Sequence, residues 1–383
     1  MRILAPRLRE EVWAALPEGV EVRFLDEPWP KACDLFIPPY GQEEVVRRVL
    51  EEVEVKVVQT LSAGVDWILP LVPEGVVLCD GSGIHDAPVA EWVVLALLAL
   101  LKDLPGFLEA QKEGRWAPRR LSDLEGKRVL LLGYGSIGKA VAERLRPFGV
   151  ALFPVARHPR PGVYTREDLP ALLPRADAVV LLLPLTPETR GIVDRDFLAR
   201  MKEGALLVNA GRGGLVDTEA LLEALEAGRV RAFLDVTDPE PLPRDHPLWR
   251  ARGVVITPHV AGLSEGFSRR VARFLAEQVG RYLRGEPLLN VVREGYEGHP
   301  GHWAPLAGKV LPWRRRRRIA LPEDVAEALE RFRRARGRGW RKALLHLAVE
   351  EERKALARLV WELRATAASH GLTEEEVARR LEG

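Results

Sequence analysis

Three short stretches of the chain place a proton-moving or anion-holding side chain directly after an apolar run. They are Val208-Asn209-Ala210-Gly211-Arg212, Leu234-Asp235-Val236-Thr237-Asp238-Pro239-Glu240 and Ile256-Thr257-Pro258-His259. An imidazole can take or give a proton near neutrality. A guanidinium keeps its charge and grips carboxylates through paired hydrogen bonds. A carboxylate beside an imidazole orients the ring and favours its charged form. Each apolar run reads as a strand, and in an open α/β sheet ligands bind outside the carboxyl ends of the strands. Arg212, Glu240 and His259 are therefore expected to converge on one crevice, with Asp238 competing for the place of the acid.

A fourth segment, Gly133-Tyr134-Gly135-Ser136-Ile137-Gly138, fits G-x-G-x-x-G. It follows a strand pattern at Arg128–Leu132 and opens a helical one at Ser136–Phe148, the context the motif needs to carry weight. Gly133 allows a tight turn, Gly135 lets the backbone approach a pyrophosphate, and Gly138 lets helix and strand pack closely. The N–H groups at the helix start, around Ser136 and Ile137, then face phosphates. The segment reads as a dinucleotide site. Where an NAD site carries an acid for the ribose 2′-hydroxyl, this chain reads Val155-Ala156-Arg157-His158-Pro159-Arg160. Arg157 and Arg160 suit a 2′-phosphate, so NADP(H) is the expected cofactor and NAD(H) the alternative.

The first hundred residues alternate strand and helix patterns: strands at Leu35–Pro38, Val55–Val58 and Val76–Cys79, with a helix at Glu43–Glu52. A helix is expected from Asp86 to Leu101, with Asp86 as its cap and Pro88 in its first turn. The alternation restarts at Arg128 and yields six strands with intervening helices, as a doubly wound nucleotide-binding domain requires. A long amphipathic helix at about 265–283 follows, and Glu286–Val291 is an extended segment that rejoins the first domain. The expected class is α/β, with two doubly wound parallel-sheet domains. A Rossmann-type cofactor domain (101–283) is inserted in a flavodoxin-like substrate domain (1–100, with a return segment at 284–300).

Together these motifs resemble the D-isomer-specific 2-hydroxyacid dehydrogenases over roughly residues 35–295. The likeness also includes Leu182-Leu183-Pro184-Leu185-Thr186-Pro187-Glu188-Thr189-Arg190-Gly191 and His85-Asp86-Ala87-Pro88-Val89-Ala90-Glu91. By resemblance Arg212, Glu240 and His259 form the catalytic set, the acid directly before Pro241 being preferred to Asp238. His259 would donate a proton to a 2-oxo acid, Glu240 would orient it, and Arg212 would anchor the substrate. Asp235 would hold the nicotinamide carboxamide, and Leu183, Pro184, Thr189 and Ala210 would line the cofactor cleft. The loop carrying Ser62, Ala63 and Gly64 would hold the substrate carboxylate through backbone N–H groups. The stretch at 156–161 is similar to the family's NADPH-using glyoxylate/hydroxypyruvate reductases, so small 2-oxo acids are the first choice of substrate. Phosphoglycerate dehydrogenase is the runner-up, and a Rossmann-type binding protein without catalysis is the alternative of another class. The family's usual state implies a homodimer.

Composition bounds the remaining readings. The chain has 383 residues with 47% hydrophobic and 29% charged content, which fits a soluble protein of two or three domains. Cys33 and Cys79 are its two cysteines, far apart, and make neither a disulfide framework nor a metal-ligand spacing. No metal is expected, and a reducing cytoplasm is the expected location. The start, Met1-Arg2-Ile3-Leu4-Ala5-Pro6, reads as a strand rather than a signal peptide. The longest apolar run, Trp92–Leu101, is about half of what crosses a bilayer, so no membrane partner is expected. Residues 301–383 carry 19 Lys+Arg against 12 Asp+Glu, a net +7, while the remainder carries 38 against 43, a net −5. That basic tail includes Arg314–Arg318 and helical patterns. It reads as a helical extension, with nucleic-acid binding as the competing reading.

Overall fold

The computed structural model describes residues 1–292. Contacts divide the chain into two units, Met1–Pro159 with Val163–Val310 and Arg160–Gly162 with Leu311–Gly383. The expected basic extension at 301–383, its nucleic-acid reading and the end of the return segment lie outside the described residues.

The first unit holds two parallel sheets. Its N-terminal lobe runs β1 (Arg2–Ala5), α1 (Glu10–Ala14), β2 (Glu21–Phe24), β3 (Ala32–Phe36), α2 (Glu43–Glu52), β4 (Glu54–Gln59) and β5 (Val77–Cys79). These strands pair in the order β2-β1-β3-β4-β5, the flavodoxin-like arrangement. The second lobe follows with α3 (Asp86–Leu101), α4 (Leu104–Lys112), β6 (Arg128–Leu132), α5 (Ser136–Leu145), β7 (Ala151–Val155), α6 (Leu169–Leu172) and β8 (Ala178–Leu181). It continues with α7 (Arg195–Arg200), β9 (Ala205–Asn209), α8 (Thr218–Glu226), β10 (Val230–Leu234), β11 (Val254–Ile256) and α9 (Phe267–Arg284). Its order is β11-β10-β9-β8-β6-β7, all parallel, and Tyr164 adds a parallel bridge outside Val155. The winding reverses between β6 and β8, and the carboxyl ends of strands at such a switch point are where open α/β sheets bind ligands.

β8 and β9 are buried along their whole length, so helices must cover both faces of this sheet. One cover is α3, which packs Val89, Val93 and Leu97 against Val129, Leu131, Val180 and Val208. The mirror case is α9, whose Val271, Leu275 and Val279 pack with Ile3, Leu35 and Val57 of the first sheet. Each long helix thus packs on the sheet that it does not follow in sequence. The division expected at residues 100 and 283 cuts after these helices, whereas the cores divide before them.

The chain returns to the first lobe after α9. The Asp80 N–H donates to the Asn290 carbonyl at 2.9 Å and the Val292 N–H to the Leu78 carbonyl at 2.8 Å, so Val291 bridges Cys79 antiparallel. Buried Gln278 fixes this seam: its amide donates to Gln59 Oε1 at 2.6 Å and to the Leu289 carbonyl at 3.0 Å, and accepts from the Leu289 N–H at 2.7 Å.

Three elements had no counterpart in the sequence expectation: α1, β2 and α4. α1 is five residues, β2 is a sheet edge with no fully buried position, and α4 begins with Leu104-Pro105-Gly106. None offers a long apolar period. One expected detail is corrected. Asp86 does not cap α3; it stands in the first turn, and its carboxylate accepts from the Gly83 N–H at 3.2 Å.

Candidate active site

The Arg212 loop starts where β9 ends. Asn209, 1% exposed, accepts from the Gly211 N–H at 3.0 Å and donates to the Arg212 carbonyl at 2.9 Å, so one amide closes the turn from both sides. A Cβ on Gly213 would lie 1.9 Å from the Thr237 carbonyl oxygen, so this loop presses directly on the backbone that leads to Glu240.

The His259 turn is held by a buried acid. Asp235, 2% exposed, follows β10 and accepts from Thr257 Oγ1 at 2.6 Å, the Val260 N–H at 2.9 Å and the Ala261 N–H at 2.8 Å. The His259 N–H donates to the Asp235 carbonyl at 2.7 Å. His259 has φ 53°, in the left-handed region that a side chain other than glycine's rarely adopts. Surrounding bonds must over-determine such a conformation, and Asp235 supplies them. The His259 Nδ1–H donates to Glu240 Oε1 at 2.6 Å. That leaves Nε2 as the nitrogen able to exchange a proton with a substrate. Asp238 turns away, its carboxylate 3.9 Å from Arg190 Nη1.

Arg212 reaches across the lobes. Its Nε lies 3.2 and 3.3 Å from the two oxygens of Asp66, Nη2 lies 3.1 Å from Oδ1, and Nη1 donates to the Gly211 carbonyl at 2.9 Å. Nothing in the sequence singles out Asp66, because an aspartate in a glycine-containing loop ordinarily reads as solvated. The loop before it is shaped by its own side chains: Thr60 Oγ1 donates to the Ser62 carbonyl and Ser62 Oγ to the Gly64 carbonyl, both at 2.8 Å. A Cβ on Gly64 would stand 1.5 Å from Arg212 Nη2, so the guanidinium lies directly over this glycine. Gly64→Ala is therefore expected to displace Arg212. Steady-state assays should show kcat/KM for a 2-oxo acid reduced about 100-fold, a size in keeping with an ångström-scale misplacement. The affinity for NADPH should stay unchanged.

The glycine-rich loop sits at the switch point. Gly133 has φ 111°, and a Cβ there would lie 2.7 Å from the Leu182 backbone. A Cβ on Gly138 would lie 2.3 Å from the Gly133 carbonyl oxygen, whereas one on Gly135 would meet nothing within 4 Å. Tight contact at the outer glycines and open space at the middle one are what a backbone that approaches a pyrophosphate needs, so these residues fit a dinucleotide. Leu183 lies between this loop and Gly211, whose Cβ would stand 2.9 Å from the Leu183 carbonyl oxygen. Ala210 follows β9 alongside, its N–H donating to the Leu181 carbonyl at 3.2 Å. Thr189 shapes the neighbouring loop from within: its hydroxyl donates to the Pro184 carbonyl at 2.7 Å and accepts from the Thr186 N–H at 2.8 Å.

Asp86 stands beside this loop. Burial raises its carboxyl above the ordinary range, while a hydrogen bond from Ser136 draws it back. Arg157 follows β7, and both it and Arg166 lie in the field of Glu188. Hydrogen bonds from the Thr186 hydroxyl and from its own backbone hold that carboxyl below its usual range, and the two arginines add to the effect. Arg160 belongs to the second unit. Among the described residues no group of three or more His, Cys, Asp or Glu is placed to hold a metal ion, and no helix is long and apolar enough to cross a membrane.

The family model for the NAD-binding domain of D-isomer-specific 2-hydroxyacid dehydrogenases matches residues 94–261. The chain is 34% identical over 262 residues to the human glyoxylate reductase/hydroxypyruvate reductase, covering 64% of this chain and 80% of that protein. It is 35% identical over 274 residues to the D-3-phosphoglycerate dehydrogenase of Methanocaldococcus jannaschii, covering 68% of this chain but only about half, 52%, of the relative. Among solved structures, the NADPH-dependent glyoxylate/hydroxypyruvate reductase of Sinorhizobium meliloti, in complex with NADP and sulfate, superposes with a TM-score of 0.68 at 28% identity. That match covers 78% of this chain and 99% of the other. With the glycine loop at the switch point of one parallel sheet and the Arg, Glu and His loops beside it, the chain belongs to the family of D-isomer-specific 2-hydroxyacid dehydrogenases, NAD(P)-dependent oxidoreductases.

Proposed function

We propose that this chain reduces small 2-oxo acids such as glyoxylate or hydroxypyruvate, using NADP(H) in preference to NAD(H). The observation that carries the reading is the 2.6 Å contact between His259 and Glu240, on loops that pack against the one bearing Arg212. A bound nicotinamide cofactor supplies the hydride for the carbonyl carbon. His259, protonated at both nitrogens, gives the Nε2 proton to the carbonyl oxygen. Glu240 holds Nδ1 and offsets the ring's charge. Arg212 polarises the carbonyl and, with the backbone N–H groups of Ser62, Ala63 and Gly64, holds the carboxylate. In the oxidative direction neutral His259 takes the proton from the hydroxyl. The lobe that holds the sheet of β1–β5 binds the substrate, and the lobe that holds the sheet of β6–β11 binds the cofactor.

Gly133, Gly135, Ser136, Ile137 and Gly138 hold the pyrophosphate, and Leu183, Pro184, Thr189 and Ala210 line the cleft. Asp235 has one established task in the turn that bears His259, and its carboxylate keeps acceptor capacity for a carboxamide. The preference for NADP(H) rests on Arg157 and Arg160, with no carboxylate in the stretch from Val155 to Arg160. The experiment is a panel of glyoxylate, hydroxypyruvate, pyruvate and 3-phosphohydroxypyruvate, each with NADPH and with NADH. The highest kcat/KM is expected for NADPH with glyoxylate or hydroxypyruvate. A higher value for 3-phosphohydroxypyruvate would replace this reading with phosphoglycerate dehydrogenase. A preference for NADH would overturn the cofactor assignment, and inactivity throughout would favour a binding protein.

The chain is further proposed to act as a homodimer. Leu95 on α3, Leu104 and Leu108 on α4, and Trp116 and Leu121 in the segment after it are exposed, Trp116 to 95%. The segment that carries Trp116 and Leu121 folds back along α4, through an ion pair of Arg119 with Asp103 and the Arg119 guanidinium 4.1 Å from the Phe107 ring. Large apolar side chains exposed on neighbouring elements favour an association site. Light scattering should give twice the 42.8 kDa chain mass, and Trp116→Ser with Leu108→Asp should halve it. A wild-type monomer would refute the proposal.

A further inference from the structure

His85 immediately precedes α3, between the two lobes, and both of its ring nitrogens face carbonyl oxygens. Nε2 lies 3.0 Å from the Leu61 carbonyl oxygen and Nδ1 lies 3.2 Å from that of Gly262. Leu61 opens the loop that carries Ser62, Ala63 and Gly64, and Gly262 closes the turn that carries His259. A carbonyl oxygen only accepts. Both contacts are therefore hydrogen bonds only when both nitrogens carry hydrogen; the neutral ring donates to one oxygen and turns a lone pair toward the other. The ring is fixed in place. It stacks on Phe267 with centroids 5.5 Å apart and planes at 25°, and a Cβ on Gly262 would come within 3.0 Å of Nδ1.

The charged groups around it act in both directions. From α9, Arg270 opposes a second positive charge; its Nε donates to the Ile84 carbonyl at 2.5 Å and its Nη2 to Ser264 Oγ at 2.6 Å. From α3, Asp86 favours the charge. Burial has the largest influence and holds His85 below its ordinary value, while the two carbonyls pull it upward.

We propose that His85 is a positioning residue whose protonated ring clips the substrate loop to the turn that bears His259. The proposal rests on the functional reading above. The sign follows from the ring. Below its pKa, which is lower than the usual value for histidine, both bonds are present; as pH rises through that pKa one is lost and the carboxylate pocket loosens.

The test uses the full chain in a His259→Asn background, where turnover and the titration of His259 are both removed. Oxalate, an unreactive analogue of a 2-oxo acid, is titrated into the NADPH complex between about pH 5.5 and pH 8, and melting temperature is followed in parallel. Oxalate affinity should fall roughly tenfold as pH rises, the size of one hydrogen bond. Adding His85→Gln should flatten that dependence and leave NADPH affinity unchanged. An equal pH slope in both variants would overturn the proposal, as would a parallel loss of NADPH affinity, which marks a merely structural role. Failure of oxalate to bind at any pH would overturn the substrate reading and this proposal with it.

Discussion

Replacing His259 with Asn should lower kcat for 2-oxo acid reduction about 1,000-fold, within the range expected for removing a positioned general acid, while NADPH still binds. The expectation follows from where the side chain sits. Its Nδ1 is committed to Glu240 at 2.6 Å, so Nε2 is the group able to deliver a proton, and an amide cannot replace it. The fold should survive the change. The side chains of His259 and Glu240 are 37% and 41% exposed, and an ion pair in that setting contributes about 0–1 kcal/mol. Asp235 holds the turn through backbone N–H groups and Thr257, none of which the substitution touches. Asparagine also tolerates the left-handed backbone at this position. Calorimetric titration of NADPH beside a turnover assay separates the two effects. Near-normal turnover would remove His259 from the chemistry, and loss of NADPH affinity would make it a cofactor residue.

Arg212→Met should reduce kcat/KM about 1,000-fold, with kcat falling as well as KM rising, because the guanidinium is assigned to the reacting carbonyl as well as to the carboxylate. Arg212→Lys should recover little. An ammonium is a point charge and cannot contact both oxygens of Asp66 while donating to the Gly211 carbonyl. Steady-state kinetics decide the matter. A rise in KM at constant kcat would limit Arg212 to uniform binding of the substrate. Full activity in the lysine variant would show that charge alone suffices there.

Much of this site could be read from residue types because its parts follow strands. Arg212, Glu240 and His259 each come shortly after an apolar run, and the glycine motif has its strand before it and its helix after it. What escaped the sequence is contact between distant segments. Asp66 and Arg212 are 146 residues apart, and no local pattern links them. Residue type points Asp235 toward the cofactor; that three donors from the loop at 257–261 also converge on it is visible only in the folded turn. The same limit applies to the fold. Strand β6 is an apolar run that spans the expected Arg128–Leu132. The exchange of α3 and α9 between the two sheets is a packing choice, and an apolar helix does not announce which sheet it will cover. α1, β2 and α4 are short or interrupted, so their order comes from neighbours rather than from their own periodicity.

One imidazole is assigned to move the proton in both directions of the reaction. The measurement is the pH dependence of kcat/KM for NADPH-dependent reduction of hydroxypyruvate or glyoxylate, set beside that for oxidation of the matching 2-hydroxy acid by NADP. Reduction needs the ring protonated, so its kcat/KM should fall as pH rises; oxidation needs it neutral, so its kcat/KM should fall as pH falls. Both limbs should report the same group and vanish with the turnover of the His259→Asn variant. Limbs that run in the same direction, or profiles without a limb in either direction, would contradict the assignment of His259 as the proton carrier.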